Sequence, residues 1–209
     1  MIRCVVFDFD GTLVDSNSIK RQAFFEVAGT FRNGTEMMKC ILEEATDRDR
    51  YWVFQEFARG VFGEADSAEL AERYTRICQE RIAAAPEIPG ARACLERLRS
   101  EGKHLFLNSA TPAGPLASLV RLRRLESLFE AIYGAPATKQ ENLAAIRAQH
   151  RYAPEEMLVV GDGESDRVSA AMTGCRFVAV ENADNNFTQV PPCRIPDMSG
   201  LPEIVLATT

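Results

Sequence analysis

Two carboxylates, Asp8 and Asp10, stand two positions apart in Phe7-Asp8-Phe9-Asp10-Gly11-Thr12-Leu13-Val14, directly after an apolar run from Ile2 to Val6. Acids at this spacing leave a regular strand on one face, and a turn at Gly11 can re-aim the second toward the target of the first. One acid can then attack an electrophile while the other carries a proton. The same residues also make an ordinary turn, because Asp bonds nearby backbone and Gly tolerates positive φ. The choice between chemistry and turn depends on what the rest of the chain brings to this point.

The run Ile2 to Val6 has the continuous apolar character of a short strand buried in a parallel sheet, and its carboxyl end is where open α/β sheets bind ligands. After Asp15 the pattern turns helical. Ser16 or Asn17 can cap a helix to about Ala28, with Ile19, Ala23, Phe24 and Val27 on one face. Gly29 to Gly34 form a loop, and further helices are expected from Thr35 through Leu42, from Asp49 to Val61, and from Ser67 to Ala85. Pro86, Pro89 and Gly90 then break the pattern. Helix and strand alternate from there. The helices are Ala91 to Ser100, Ala113 to Arg123, Lys139 to His150, and one ending near Gly174. The strands are His104 to Leu107, a weak one at Ala131 to Tyr133, Met157 to Val160, and Phe177 to Val180. Pro112 falls near the first turn of its helix, where a missing N–H does no harm.

This order predicts an α/β fold with a parallel sheet built by right-handed crossovers. The first two strands lie about a hundred residues apart, where an ordinary crossover takes roughly thirty. Residues 17–86 therefore read as an inserted helical bundle, and 1–16 with 87–209 as the core. The tail from Asn182 to Pro196, polar and proline-rich, reads as either a mobile tail or an edge segment.

Composition narrows the function. The chain has 209 residues, 46% of them hydrophobic, enough for a substantial core. A formal charge of −6 and a pI of about 5.1 disfavour nucleic acid or an anionic membrane as partner. No apolar run approaches the length of a membrane span, and the N-terminus enters a strand without a secretory pattern. Cys4, Cys40, Cys78, Cys94, Cys175 and Cys193 are scattered without close pairs, which reads as the reduced thiols of a cytoplasmic protein.

Four polar clusters fall in a fixed order: Asp8-Phe9-Asp10-Gly11-Thr12-Leu13, then Ser109-Ala110-Thr111, then Lys139, then Gly161-Asp162-Gly163-Glu164-Ser165-Asp166. Singly, Ser109 could begin a helix, Lys139 could be a solvated helix-start residue, and Asp162 with Asp166 could be turn and first-turn charges. Together they resemble the signatures of the haloacid dehalogenase superfamily, most of whose members are phosphatases. The position and helical character of the insertion look like the phosphoglycolate phosphatase and β-phosphoglucomutase branch.

The resemblance implies a Rossmann-like core with a helical cap. It makes Asp8 a nucleophile that takes the phosphoryl group, and Asp10 the acid that protonates the leaving alcohol and later activates water. Ser109 and Ala110 would bind phosphoryl oxygens, and Lys139 would neutralise them and the nucleophile. Mg2+ would be held by Asp8, by the backbone carbonyl of Asp10, and by Asp162, with Asp166 acting directly or through water. An acid at position 10 favours phosphoryl transfer over carbon–halogen cleavage, which needs no proton for its leaving group.

Elementary electrostatics requires the cation. A carboxylate approaching a phosphate dianion meets like charges, each pair costing roughly 4 kcal/mol at about 4 Å and an effective dielectric near 20. Magnesium, a hard ion that accepts oxygen ligands and substrate phosphate, fits that need. The expected partner is a small phosphate monoester. Arg32, Asn33 and Gly34, in the loop between the first two inserted helices, are candidate leaving-group contacts, with Lys20 and Arg21 as alternatives. A phosphomutase would use the same catalytic residues, and a non-catalytic binding protein could share the fold.

Overall fold

The computed structural model describes residues 1–45, 48–61 and 65–207. The chain forms two compact units, Met1–Asp15 with Ala85–Thr209, and Ser16–Ala84. In chain order, β1 (Cys4–Phe7) is followed by α1 (Asn17–Ala28), α2 (Gly34–Glu44), α3 (Arg50–Gly60) and α4 (Ser67–Ile82). Alternation then begins with α5 (Ala91–Ser100), β2 (His104–Pro112), α6 (Ala113–Leu122), β3 (Ala131–Ala135), α7 (Lys139–His150) and β4 (Met157–Gly161). It closes with α8 (Glu164–Thr173), β5 (Arg176–Val180), β6 (Arg194–Ile195) and α9 (Leu201–Ala207).

The sheet is parallel throughout, in the order β3-β2-β1-β4-β5-β6. β1 lies between β2 and β4, with Val6 in register with Phe106 on one side and Val159 on the other. Every residue of β1 and β4 is buried, as strands covered by helices on both faces require. On one face Cys4, Val6, Phe106, Met157 and Val159 pack with Leu143 and Ile146 of α7, Ala170 of α8 and Tyr152. Each large apolar side chain sequestered here contributes about 1.5–3 kcal/mol before entropy is counted. In α5, Ala91, Cys94, Leu95 and Leu98 form the buried stripe at helical spacing. The strand order reverses between β1 and β4, so their carboxyl ends open a crevice, the position at which doubly wound sheets take ligands.

The Ser16–Ala84 unit is all helical among its described residues. Asp49 and Asp66 cap α3 and α4 by accepting from Trp52 N and Ala68 N. Phe24 packs against Tyr74 and Phe54 with ring centroids 4.2 Å and 5.4 Å apart, and Val53, Phe54 and Phe57 are buried. These aromatics are the unit's core, while Trp52 is only half-buried.

Several boundaries differ from the sequence expectation. α4 ends at Ile82 rather than Ala85, because Pro86 disfavours helical geometry in the residue before it. β2 does not stop at Leu107 but continues to Pro112, with its register to β3 shifting between Asn108 and Pro112. Pro112 thus ends the strand and stands at the N-cap position of α6, next to its first turn as expected. The tail supplies a sixth strand, β6, at the sheet edge, two residues long and too short to carry any periodic signal. Ser16 occupies the N-cap position of α1 without a side-chain cap hydrogen bond, and Asn17 is the first helical residue. Among the described residues no helix is long and apolar enough to cross a membrane.

Candidate active site

Asp8 is the first residue beyond β1, and its N–H donates to Val160 O at 2.9 Å, which ties it to β4. Its Oδ1 accepts from Phe9 N at 2.7 Å, and its Oδ2 lies 2.9 Å from Lys139 Nζ. The chain then turns sharply. Leu13 N and Val14 N both donate to Phe9 O, and Gly11 N donates to Val14 O, closing a loop with Gly11 at φ +75°. Only glycine takes that conformation without cost. The loop aims Asp10 at β2, where its Oδ2 accepts from Thr111 Oγ1 at 2.9 Å, and aims Thr12 at β4, where its Oγ1 donates to Asp162 Oδ1 at 2.9 Å. All four of Asp8, Asp10, Thr12 and Thr111 are buried.

Lys139 opens α7 behind a Thr138–Glu141 capping box. Its backbone is pinned by Asn108, whose Nδ2 donates to Lys139 O at 2.9 Å and whose Oδ1 accepts from Asn142 Nδ2. Its ammonium bridges Asp8 and Asp166, 2.8 Å from Asp166 Oδ1. Asp162 closes the crevice just past β4. Asp166 packs over Gly161, where an added Cβ would stand 2.3 Å from the Asp166 carboxyl carbon, and its Oδ2 accepts from Gly163 N. Ser109 is buried, its Oγ accepting from Thr111 N at 3.1 Å, and Ala110 beside it is exposed.

Asp8, Asp162 and Asp166 each offer one oxygen, and these atoms lie within 4.8 Å of one another. Three carboxyl groups thus crowd together where one ammonium pairs with Asp8 and Asp166, an arrangement that a water-poor site tolerates only by keeping a proton or with a further counter-ion. Burial alone would lower the Lys139 pKa, but Asp166 and Asp8 outweigh it and hold the ammonium firmly charged. Burial pushes the Asp166 carboxyl up to about 8 against the pull of Lys139, with Asp8 and Asp162 adding to the rise. An all-oxygen donor set with surplus charge is the chemistry that suits a hard divalent cation. The Asp10 carboxylate is outside this trio and turned to Thr111.

The residues expected from sequence, Asp8, Asp10, Ser109, Lys139, Asp162 and Asp166, are thus joined through Thr111 and Thr12 at the carboxyl ends of β1, β2 and β4. Arg32, Asn33 and Gly34 belong to the helical unit. Arg32 and Asn33 are exposed there, and Gly34 has a packing reason, since a Cβ would lie 2.0 Å from Ala28 O. Sequence reasoning missed Asn108 and Asn142, and it missed Asn182 and Asn185, whose side-chain amides donate to Asp162. No periodic signal points to these asparagines. The run Glu181-Asn182-Ala183-Asp184-Asn185-Asn186 is the one visible clue.

Residues 5–180 match the model of the haloacid dehalogenase-like hydrolase family. The chain is 31% identical over 194 residues to a phosphoglycolate phosphatase of Cereibacter sphaeroides, spanning 83% of this chain and 82% of that protein. It is 26% identical over 186 residues to a phosphoglycolate phosphatase of Synechococcus elongatus, spanning 86% and 84%. The solved structure of CbbY from Rhodobacter sphaeroides in complex with phosphate superposes with a TM-score of 0.76 over 96% of both chains at 18% identity, a likeness of fold. The strand order, the acidic trio with its lysine, and the match over most of the length converge: the chain belongs to the haloacid dehalogenase-like hydrolases, in their phosphoglycolate phosphatase-like branch, and is a phosphatase by type.

Proposed function

We propose that this hydrolase dephosphorylates a small metabolite of phosphoglycolate or sugar-phosphate type through an aspartyl phosphate on Asp8, with Mg2+ as cofactor. One observation carries the reading: the buried Asp8, Asp162 and Asp166 converge on a common point beside Lys139. Asp8, the backbone carbonyl of Asp10, Asp162 and, directly or through water, Asp166 would hold Mg2+, which would supply the charge that offsets repulsion between dianion and carboxylate. In this reading the phosphoryl oxygens are met by Ser109 Oγ and Ala110 N–H. Asp8 attacks phosphorus as the bond to the leaving oxygen breaks, and Asp10, steadied by Thr111, delivers the proton to that oxygen. Asp10 then takes a proton from water as the water oxygen attacks phosphorus and the bond to Asp8 opens, returning both acids to their starting state. Lys139 orients Asp8 and faces the phosphoryl charge.

The core unit would carry this chemistry and Ser16–Ala84 would act as the cap, with Arg32 and its neighbours Asn33 and Gly34 contacting the leaving group. The named relatives support phosphoglycolate as the first substrate to test. The test is Mg2+-dependent release of phosphate from p-nitrophenyl phosphate and from a panel containing 2-phosphoglycolate and sugar phosphates, with product analysis for transfer to a second sugar hydroxyl. The native chain is expected to turn over and Asp8→Asn to be inert. Full turnover by Asp8→Asn would remove the covalent mechanism.

A further inference from the structure

The polar segment after β5 is tied to the acidic trio rather than left as a tail. Asn182 Nδ2 donates to Asp162 Oδ2 at 2.8 Å, while Thr12 Oγ1 donates to Asp162 Oδ1 at 2.9 Å. Asn185 Nδ2 donates to the backbone oxygen of Asp162 at 2.9 Å. The two asparagines are locked to each other as well, since Asn185 Oδ1 accepts from Asn182 N at 2.9 Å. Asp162 is thus held by both carboxylate oxygens and by its main chain. These hydrogen bonds restrict rotation of the Asp162 carboxylate, and one of its oxygens still lies within 4.8 Å of an oxygen each from Asp8 and Asp166. Groups that orient a metal-binding carboxylate in this way typically change metal affinity by about 10- to 100-fold when removed.

We propose that Asn182 and Asn185 are positioning residues that preorganise Asp162 for a divalent cation, so that the segment after β5 sets the Mg2+ affinity of the site. The proposal rests on the functional reading above. The two amides keep one rotamer of Asp162 in place, and the cation meets a ligand already aimed.

The experiment titrates Mg2+ into the full chain, without substrate, by calorimetry and by the cation-induced rise in Tm. The variants are Asn182→Ala, Asn182→Gln, Asn185→Ala and, as control, Asn186→Ala on the same segment. Mg2+ dependence of kcat on p-nitrophenyl phosphate is measured alongside, and Tm in EDTA monitors folding. Asn182→Ala and Asn185→Ala are expected to need about tenfold more Mg2+ for half-saturation. Their kcat at saturating Mg2+ should stay within about twofold of native, with partial recovery in Asn182→Gln and native behaviour in Asn186→Ala. A lower Tm in EDTA with an unchanged Mg2+ midpoint would mean the asparagines only stabilise the loop, and overturns the proposal. If the native chain takes up Mg2+ but all variants titrate alike, the positioning role alone falls. If the native chain takes up none, the functional reading falls with it.

Discussion

A cation on the first residue of α7 stands at the positive end of the helix dipole, where it is disfavoured by several tenths of a kcal/mol unless something opposes it. For Lys139 the opposition comes from Asp8 and Asp166, both within 2.9 Å of its ammonium. The anomaly is visible in the sequence as a lysine in the wrong place, but its partners lie 131 residues upstream in Asp8 and 27 downstream in Asp166 and meet it only in the fold. The same crowding predicts a pH effect. Asp166 has its carboxyl raised from 3.8 to about 8, so over that interval the cation-free folded state keeps a proton that the unfolded chain has lost. Stability in EDTA should therefore fall as pH rises from about 5 to 8, and the gain in Tm on adding Mg2+ should be larger at pH 8 than at pH 6. Thermal melts across that range check it. On the proposed mechanism Asp10 makes a separable prediction, because p-nitrophenolate leaves without a proton while hydrolysis of the acyl phosphate on Asp8 would still need a base. Asp10→Asn should release about one equivalent of p-nitrophenol in a burst and then turn over about 10²- to 10⁴-fold more slowly, as followed by stopped-flow absorbance.

At the scale of elements, the site is assembled from strand ends and the turns that follow them. Apolar runs identified β1 and β4 because both faces of those strands are covered, and a continuous run needs no partner to be recognised. The extension of β2 through Ser109 to Pro112 was hidden, since it depends on a register shift against β3 and not on any local pattern. Gly161 shows what such contacts demand. Its missing side chain lets Asp166 sit directly over the end of β4. Gly161→Ala should push Asp166 aside, costing about 1–3 kcal/mol by overpacking and lowering Mg2+-dependent activity while the fold persists. Denaturant melts and phosphatase assays on the same preparation test both parts. An unchanged protein would mean that Asp166 has room to retreat.

At the scale of the whole molecule, the insertion leaves and re-joins the core at one point. Asp15 N donates to Pro86 O at 3.0 Å, Val14 pairs antiparallel with Glu87, and Arg123 Nη2 holds Ala85 O at 2.8 Å. With the ends so close, replacing Ser16–Ala84 by a short Gly-Ser linker should cost little loop-closure entropy and leave a folded α/β unit with a cooperative melt. A molten product by near-UV circular dichroism would show that the core needs the insertion. The sequence by itself determined the parallel α/β class, the inserted helices and the acids at strand ends, because apolar periodicity and residue type are local properties of the chain. Only the tertiary structure decided which groups hold those acids: Thr111 on Asp10, Thr12, Asn182 and Asn185 on Asp162, Asn108 behind Lys139. A buried hydrogen bond joins residues far apart in sequence, and nothing in either residue's neighbours announces the other.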